Sequence, residues 1–330
     1  MTGTRPQVYD AAPGPAGAGA PATEHSEENT MAEKTAFIGV GNMGGPMAAN
    51  LAKAGFEVVA FDLSRSAVED AKRRGLTVAG SMAEAVKDAS VVVTMLPAGQ
   101  HVLSVWGELA SLIGSGALVI DCSTIDVDSA RKAHEMMAGH GHLTLDAPVS
   151  GGTGGAEAAT LTFMVGGSKS AFAAGEPVLE RMGKKIVHCG EAGAGQAAKI
   201  CNNMILGISM LGVCEAFVLA EKLGLSHQAL YDVASTSSGQ CWSLTTYCPV
   251  PGPVPTSPAN KGYMPGFAAA LMLKDLSLAQ EAALSSGAST PLGAEARQLY
   301  KLYDQLGEGG RDFSGIIDFL RGSPCKDDAA

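Results

Sequence analysis

Phe37-Ile38-Gly39-Val40-Gly41-Asn42-Met43-Gly44 decides how this chain is read. An apolar run ends in Gly-x-Gly-x-x-Gly and passes directly into a segment whose apolar spacing suits a helix. About 20 residues further on, a second apolar run, 57–61, closes at Asp62. Strand, glycine turn, helix, strand and acid in that order are the sequence form of a βαβ unit that binds a dinucleotide. Gly39 permits the tight turn off the strand, Gly41 lets backbone approach a pyrophosphate, and Gly44 lets the helix pack closely on the strand. Val40, Asn42 and Met43 complete the turn, and free amides at the helix N-terminus favour negative charge there. Asp62 would accept hydrogen bonds from ribose hydroxyls and repel a 2′-phosphate, which favours NAD over NADP. Arg65 points the other way, because its guanidinium could reach a 2′-phosphate. Without the strand, helix and acid, the same glycine pattern is an ordinary loop.

Outward from this unit the chain alternates. Strands are expected at 35–40, 57–61, 91–95 and 118–121, with helices at 43–53, 64–74, 82–89 and 101–113. Further strands are expected at 143–146 and 161–165, then a helix reaching 182 and a last strand at 185–188. Short apolar strands separated by helices imply parallel pairing with helices on both faces. The expectation is an α/β fold, with a Rossmann-type doubly wound domain over 34–194. Ligands bind beyond the carboxyl ends of such strands, which directs attention to Leu96-Pro97, Cys122-Ser123-Thr124 and the stretch from Ala147 to Gly152. After Gly195 strand signals cease. A long helix at 196–223 and later helices at 268–285 and 290–306, interrupted by a proline-rich loop at 249–258, predict an all-helical second domain over 195–330. The long helix is apolar around most of its circumference, which suggests burial at the centre or across a homodimer or homotetramer interface.

Bulk properties narrow the function. The 330 residues are enough for two cores, and 46% hydrophobic with 17% charged residues indicates a folded chain. A formal charge of −10 without any basic run argues against a nucleic-acid partner. The 7 cysteines (Cys122, Cys189, Cys201, Cys214, Cys241, Cys248, Cys325) follow no framework spacing. They read as free thiols in a reducing, cytoplasmic setting. Residues 1–33 are rich in Pro, Ala, Gly and Glu, resemble neither a secretory signal nor a presequence, and are expected to be a disordered tail; Met31 could be an internal start. The uncharged run from Ile200 to Cys214 falls short of the about 20 residues that span a bilayer, so no membrane association is expected. His134-Glu135 lacks the second histidine of H-E-x-x-H, and no metal is expected. No Gly-x-Ser-x-Gly elbow occurs.

Two constellations carry chemistry. In Gly195-Gln196-Ala197-Ala198-Lys199-Ile200-Cys201-Asn202-Asn203, positions 199 and 203 share a helix face, placing an ammonium beside an amide on an apolar element. A lysine at a helix end ordinarily snorkels to solvent. Here it starts a helix that reads as buried, where desolvation would lower its pKa towards base work. In Asp146-Ala147-Pro148-Val149-Ser150-Gly151-Gly152, proline fixes a turn, and Ser150, Gly151 and Gly152 expose donors suited to a carboxylate. The alternative for this stretch is a flexible glycine loop.

Taken together, these motifs resemble the β-hydroxyacid dehydrogenase family from Thr35 to Leu320. The cofactor signature matches Phe37 to Gly44, the substrate signature Asp146 to Gly152, and the catalytic lysine signature Gly195 to Asn203. Lys274-Asp275-Leu276 also matches. The resemblance implies a 6-phosphogluconate dehydrogenase-like fold, NAD as cofactor, Lys199 as general acid/base and Asn203 beside it. It places Leu96, Pro97, Thr124 and, at a position where relatives vary, His101 on the nicotinamide side. Lys274 would approach the cofactor, with Asp275 near the active site and Trp242 bordering the substrate. Gln240 departs from the arginine that relatives often carry. The implied reaction is oxidation of 3-hydroxyisobutyrate to methylmalonate semialdehyde, a step of valine breakdown. Rival readings are a sister activity such as tartronate semialdehyde reduction, and a nucleotide-binding module without catalysis.

Overall fold

The computed structural model describes residues 33–322; residues 1–32 of the expected tail, and Cys325, lie outside them. Nine strands form one sheet: β1 (Lys34–Ile38), β2 (Glu57–Phe61), β3 (Thr77–Val78), β4 (Val91–Thr94), β5 (Leu118–Asp121), β6 (Leu143–Asp146), β7 (Val149–Ser150), β8 (Leu161–Gly166) and β9 (Gly183–Gly190). Helices α1 (Gly44–Lys53), α2 (Arg65–Arg73), α3 (Met82–Val86), α4 (Gly99–Leu112), α5 (Val127–Ala138), α6 (Gly152–Glu157) and α7 (Lys169–Leu179) are interspersed with them. The order β3-β2-β1-β4-β5-β6 is parallel throughout. It reverses direction at β1, the switch point of a Rossmann-type fold. Because both faces are covered, β4 and β5 are continuous apolar runs. Phe37, Leu51, Ile120 and Leu145 pack on one face, and Ile38, Val92, Trp106 and Val119 on the other.

Register positions the site. Phe61, Ile38, Thr94, Asp121 and Asp146 stand side by side across five strands. The segments leaving this row, beginning at Asp62, Gly39, Met95, Cys122 and Ala147, therefore emerge along one edge.

Among these strands and helices, four elements were not anticipated: β3, β7, α5 and α6. The sheet also stops being parallel, since β8 runs antiparallel to both β6 and β7, and only β9 resumes parallel pairing with β8. The physical reason lies in the link from β7 to β8, residues 151–160 with one helix of 6 residues, short of the dozen or more that a parallel crossover needs.

The remainder is helical: α8 (Ala194–Lys222), α9 (His227–Ala234), α10 (Trp242–Thr245), α11 (Ala269–Ser286), α12 (Pro291–Gln305) and α13 (Ile316–Leu320). Phe217, Met272, Leu276, Tyr300, Tyr303 and Phe313 form its core. At 29 residues, α8 is long and apolar enough to cross a membrane by length and composition alone. Only the length argument drawn from the run between Lys199 and Glu215 is corrected, because the helix continues through both charges; a core helix passes the same test of length and composition. It packs against β8, α10, α11, α12 and α13 in turn, which explains why no single face of it is polar.

Candidate active site

The glycine turn has the shape a pyrophosphate needs. Gly39 has φ +91°, and a Cβ there would overlap the Met95 carbonyl; at Gly44 it would overlap the Gly39 carbonyl. Gly41 differs, with nothing within 4 Å of where its Cβ would lie. The protein itself therefore makes no demand for glycine at 41, and the bare backbone faces open space beside the start of α1. Asp62, just past β2, accepts from Val40 N–H at 2.8 Å and Ser64 N–H at 2.7 Å. Its carboxylate retains lone pairs for ribose hydroxyls. Arg65 is exposed at the start of α2. These residues fit a dinucleotide.

Beside the turn, a buried network binds the ends of β4 and β5. Asp121 Oδ1 accepts from Thr94 Oγ1 at 2.7 Å and from Ser123 Oγ at 2.5 Å, and Ser123 Oγ accepts from Leu96 N–H at 2.7 Å. Burial raises the Asp121 carboxyl to about 6; the Ser123 and Thr94 bonds oppose the rise and the nearby Asp146 carboxylate adds to it. The loops carrying Leu96-Pro97 and Thr124 are thus tied together.

The start of α8 is buried against the sheet. A Cβ on Gly195 would overlap the Met164 carbonyl and lie 2.5 Å from that of Asp146. Its free N–H groups are met by a remote side chain. Asp146 accepts from Gly193 N–H at 2.8 Å and from Gln196 N–H at 2.9 Å. His134 Nε2 lies 3.1 Å from the same carboxylate, and its Nδ1 lies 2.7 Å from Thr144 Oγ1. A carboxylate only accepts, so Nε2 is the donor in that bond.

Lys199 follows on the first turns of this anchored helix. It is 6% exposed, and its amine has no hydrogen-bond partner among the described residues. Burial pushes the amine below the ordinary lysine value; Asp275 opposes this and Lys274 reinforces it. Asn203, 2% exposed, donates to Asp275 Oδ2 and accepts from Asn202 Nδ2. Burial raises the Asp275 carboxyl against the pull of Lys199, Lys274 and Asn203. From α11, Lys274 Nζ reaches the Pro97 carbonyl at 3.0 Å. Burial also lowers this amine, with Asp275 and Asp121 opposing.

The Ser150 to Gly152 turn meets the helical wall. Gly151 (φ +135°) and Gly152 (φ +61°) adopt backbone that glycine favours, and a Cβ on Gly152 would stand 3.0 Å from the Gly266 carbonyl. Asp312, fully buried, accepts from Tyr247 OH at 2.8 Å and from Gly266 N–H at 2.9 Å. Trp242, 50% exposed, stacks on Tyr247 at 4.9 Å between ring centroids.

The predicted residues therefore form connected groups. Gly39 to Gly44 adjoin Asp62 and Leu96; Leu96, Pro97, Lys274, Asp275, Lys199 and Asn203 are linked in sequence; Gly152 lies against Gly266, whose amide shares the Asp312 carboxylate with Tyr247. His101 is exposed on α4 without a side-chain hydrogen bond, and Thr124 is half-buried. Sequence reasoning missed Asp121 and Asp312, and it named Ser123 and Gln196 only within their motifs, without a role. A signal existed for Asp121, an ionisable residue closing an apolar strand, but none for Asp312.

Comparison with known proteins gives this arrangement its place. Residues 34–190 match the model of the NAD binding domain of 6-phosphogluconate dehydrogenase, and residues 193–320 match that of the NAD-binding region of NADP-dependent 3-hydroxyisobutyrate dehydrogenase. A 3-hydroxyisobutyrate dehydrogenase of Pseudomonas aeruginosa is 52% identical over 293 residues, covering 87% of this chain and 98% of that protein. The chain belongs to the β-hydroxyacid dehydrogenase family. An NAD-dependent L-serine dehydrogenase of the same organism is 48% identical over 287 residues, covering 86% and 96%. The solved Mycobacterium tuberculosis 3-hydroxyisobutyrate dehydrogenase with L-serine aligns with a TM-score of 0.86 at 51% identity, covering 88% of this chain and all 100% of that one. As a β-hydroxyacid dehydrogenase the chain is an oxidoreductase that uses NAD, and its glycine turn lies in the matched NAD-binding domain.

Proposed function

We propose that this protein oxidises the primary alcohol of 3-hydroxyisobutyrate to methylmalonate semialdehyde with NAD, in valine breakdown, and that Lys199 moves the proton. Bound NAD supplies the hydride acceptor. Gly39 to Gly44 and Asp62 would hold its adenosine and pyrophosphate portions, and Leu96, Pro97, Thr124 and Lys274 its nicotinamide side. The observation that carries the reading is the buried Lys199 side chain beside Asn203 and Asp275, its amine without a hydrogen-bond partner among the described residues. A lysine lowered by burial is a base able to take the hydroxyl proton in oxidation and, once charged, to return it to a carbonyl in reduction. Asn203 orients the substrate oxygen, held itself by Asp275. Donors at Ser150, Gly151 and Gly152 receive the carboxylate, and Trp242 borders the pocket.

Lys199→Ala is expected to lose about 10³-fold or more in turnover while NAD titration by tryptophan fluorescence stays near normal. Near-normal turnover in that variant would remove the lysine from the mechanism. L-Serine is a second reading, favoured by the serine dehydrogenase relative and the serine-bound structure. Parallel kcat/KM values for NAD reduction with 3-hydroxyisobutyrate, L-serine, glycerate and 3-hydroxypropionate decide between substrates.

The proposal includes assembly with a second copy. Only 39% of the apolar window of α8 is buried within the chain. Ile205, Leu219 and Leu223 are 65%, 59% and 75% exposed along one side of it, a length of apolar helix that two copies could cover mutually.

A further inference from the structure

Gln196 is wholly buried, and both bonds of its side chain go to the backbone of one loop. Nε2 donates to the Ser123 carbonyl at 2.8 Å, and Oε1 accepts from Ile125 N–H at 3.0 Å. The residue between those two groups is Thr124. Neither group has another partner among the described residues, so one amide holds the loop as a paired strand would. That loop is also joined to its neighbour, because Ser123 Oγ accepts from Leu96 N–H. On α8, positions 196, 199 and 203 share a face, and all three are buried.

Helix anchoring does not account for this side chain. Asp146 already receives the Gly193 and Gln196 main-chain amides, and Gly195 is pressed against Met164 and Asp146. What the side chain adds is a fixed separation between α8 and the Ser123–Ile125 backbone. We propose that Gln196 is a positioning residue, setting the distance between the loop that carries Thr124 and the amine of Lys199. This rests on the reading of Lys199 as the proton-transfer group. A displacement of about 1 Å between reacting partners can cost about 100-fold in rate, so a single amide at this position has leverage on turnover without touching substrate.

The test is Gln196→Met, matched in length but unable to pair with either backbone group. In the cofactor-free protein, hydrogen exchange at the Ile125 amide is expected to accelerate by about 10-fold or more, with an unchanged circular dichroism spectrum. With NAD and hydroxy acid, kcat is expected to fall about 100-fold while KM for the hydroxy acid holds. The primary deuterium isotope effect on the oxidised carbon is expected to rise as hydride transfer becomes limiting. A folded variant with wild-type Ile125 exchange, or with wild-type kcat and isotope effect, overturns the proposal. Should Gln196→Met not fold, Gln196→Asn takes its place: its amide is one methylene short and reaches only one of the two groups, with the same outcomes expected at smaller size. Lys199→Ala, measured alongside, separates the failures. If it retains turnover, the reading of the site falls; if it is inactive while Gln196→Met is fully active, only the role of Gln196 falls.

Discussion

A buried lysine whose amine has no hydrogen-bond partner among the described residues is costly to charge, and the role proposed for Lys199 rests on that cost. The pH dependence follows with opposite signs in the two directions. Oxidation needs the neutral amine, so its rate should rise with pH through a value below the ordinary lysine pKa of about 10.4. Reduction needs the ammonium and should fall over the same range. A rising limb of oxidation at or above the ordinary value would remove the premise. Asp121 offers a test of stability. Its folded-state carboxyl is pushed up to about 6 from the ordinary 3.8, so the folded state holds its proton more tightly. Stability from this group is complete below the unfolded value and is lost as pH rises through about 6. Asp121→Asn should therefore gain on the parent between those pH values, by about 3 kcal/mol at 1.36 kcal/mol per unit. Thermal melts across pH 4 to 7, run with both proteins, measure it; a constant difference between the two would contradict it.

Among elements, the two helix starts in the site are built for different purposes, and their glycines separate them. Gly41 precedes α1 with open space around its Cα, whereas Gly195 begins α8 against backbone of Met164 and Asp146. Gly41→Ala should leave the melting temperature of the cofactor-free protein within about 2 °C while weakening NAD binding about 10-fold or more, the added methyl standing where the pyrophosphate approaches. Gly195→Ala should do the reverse. It drives a methyl into carbonyl oxygens, costing about 3 kcal/mol or more of stability, which calorimetry reads directly. Equal melting temperatures for both variants would mean that α8 tolerates lifting off the sheet. α1, α4, α8, α11 and α12 were legible because their apolar periodicity is long. α5 was not, although Asp126 caps it by accepting from Ser129 N–H at 2.7 Å. Its exposed face is polar, and of its buried residues Ala130 and Ala133 are small and His134 is polar. α6, made largely of glycine, carries no helical signal at all.

For the whole molecule, α8 is shared property: its first turns are anchored on the sheet, and its remainder forms the spine of the helical core. Lys274 makes a second link, from α11 to the Pro97 carbonyl. The apolar side of α8 is the feature whose consequence reaches beyond one chain. Light scattering coupled to size exclusion should give at least twice the 33.5 kDa chain mass. The double variant Ile205→Lys with Leu219→Lys should shift it towards the monomer. A wild-type protein eluting as a monomer at micromolar concentration would defeat the proposed assembly.

Local pattern alone determined the strand–glycine–helix unit, the alternation that makes a doubly wound sheet, the helical second half, and the lysine and asparagine on one helix face. Each is written in neighbouring residues, as turn chemistry or as a period of 2 or 3.6. Tertiary structure decided what those residues meet. The antiparallel turn of β8, the capping of α8 by Asp146 with His134 and Thr144 behind it, the grip of Gln196 on the Thr124 loop and the reach of Lys274 to Pro97 all join residues distant in sequence. A hydrogen bond across such a separation depends on one donor and one acceptor brought together by packing, and it leaves no periodic trace in the chain.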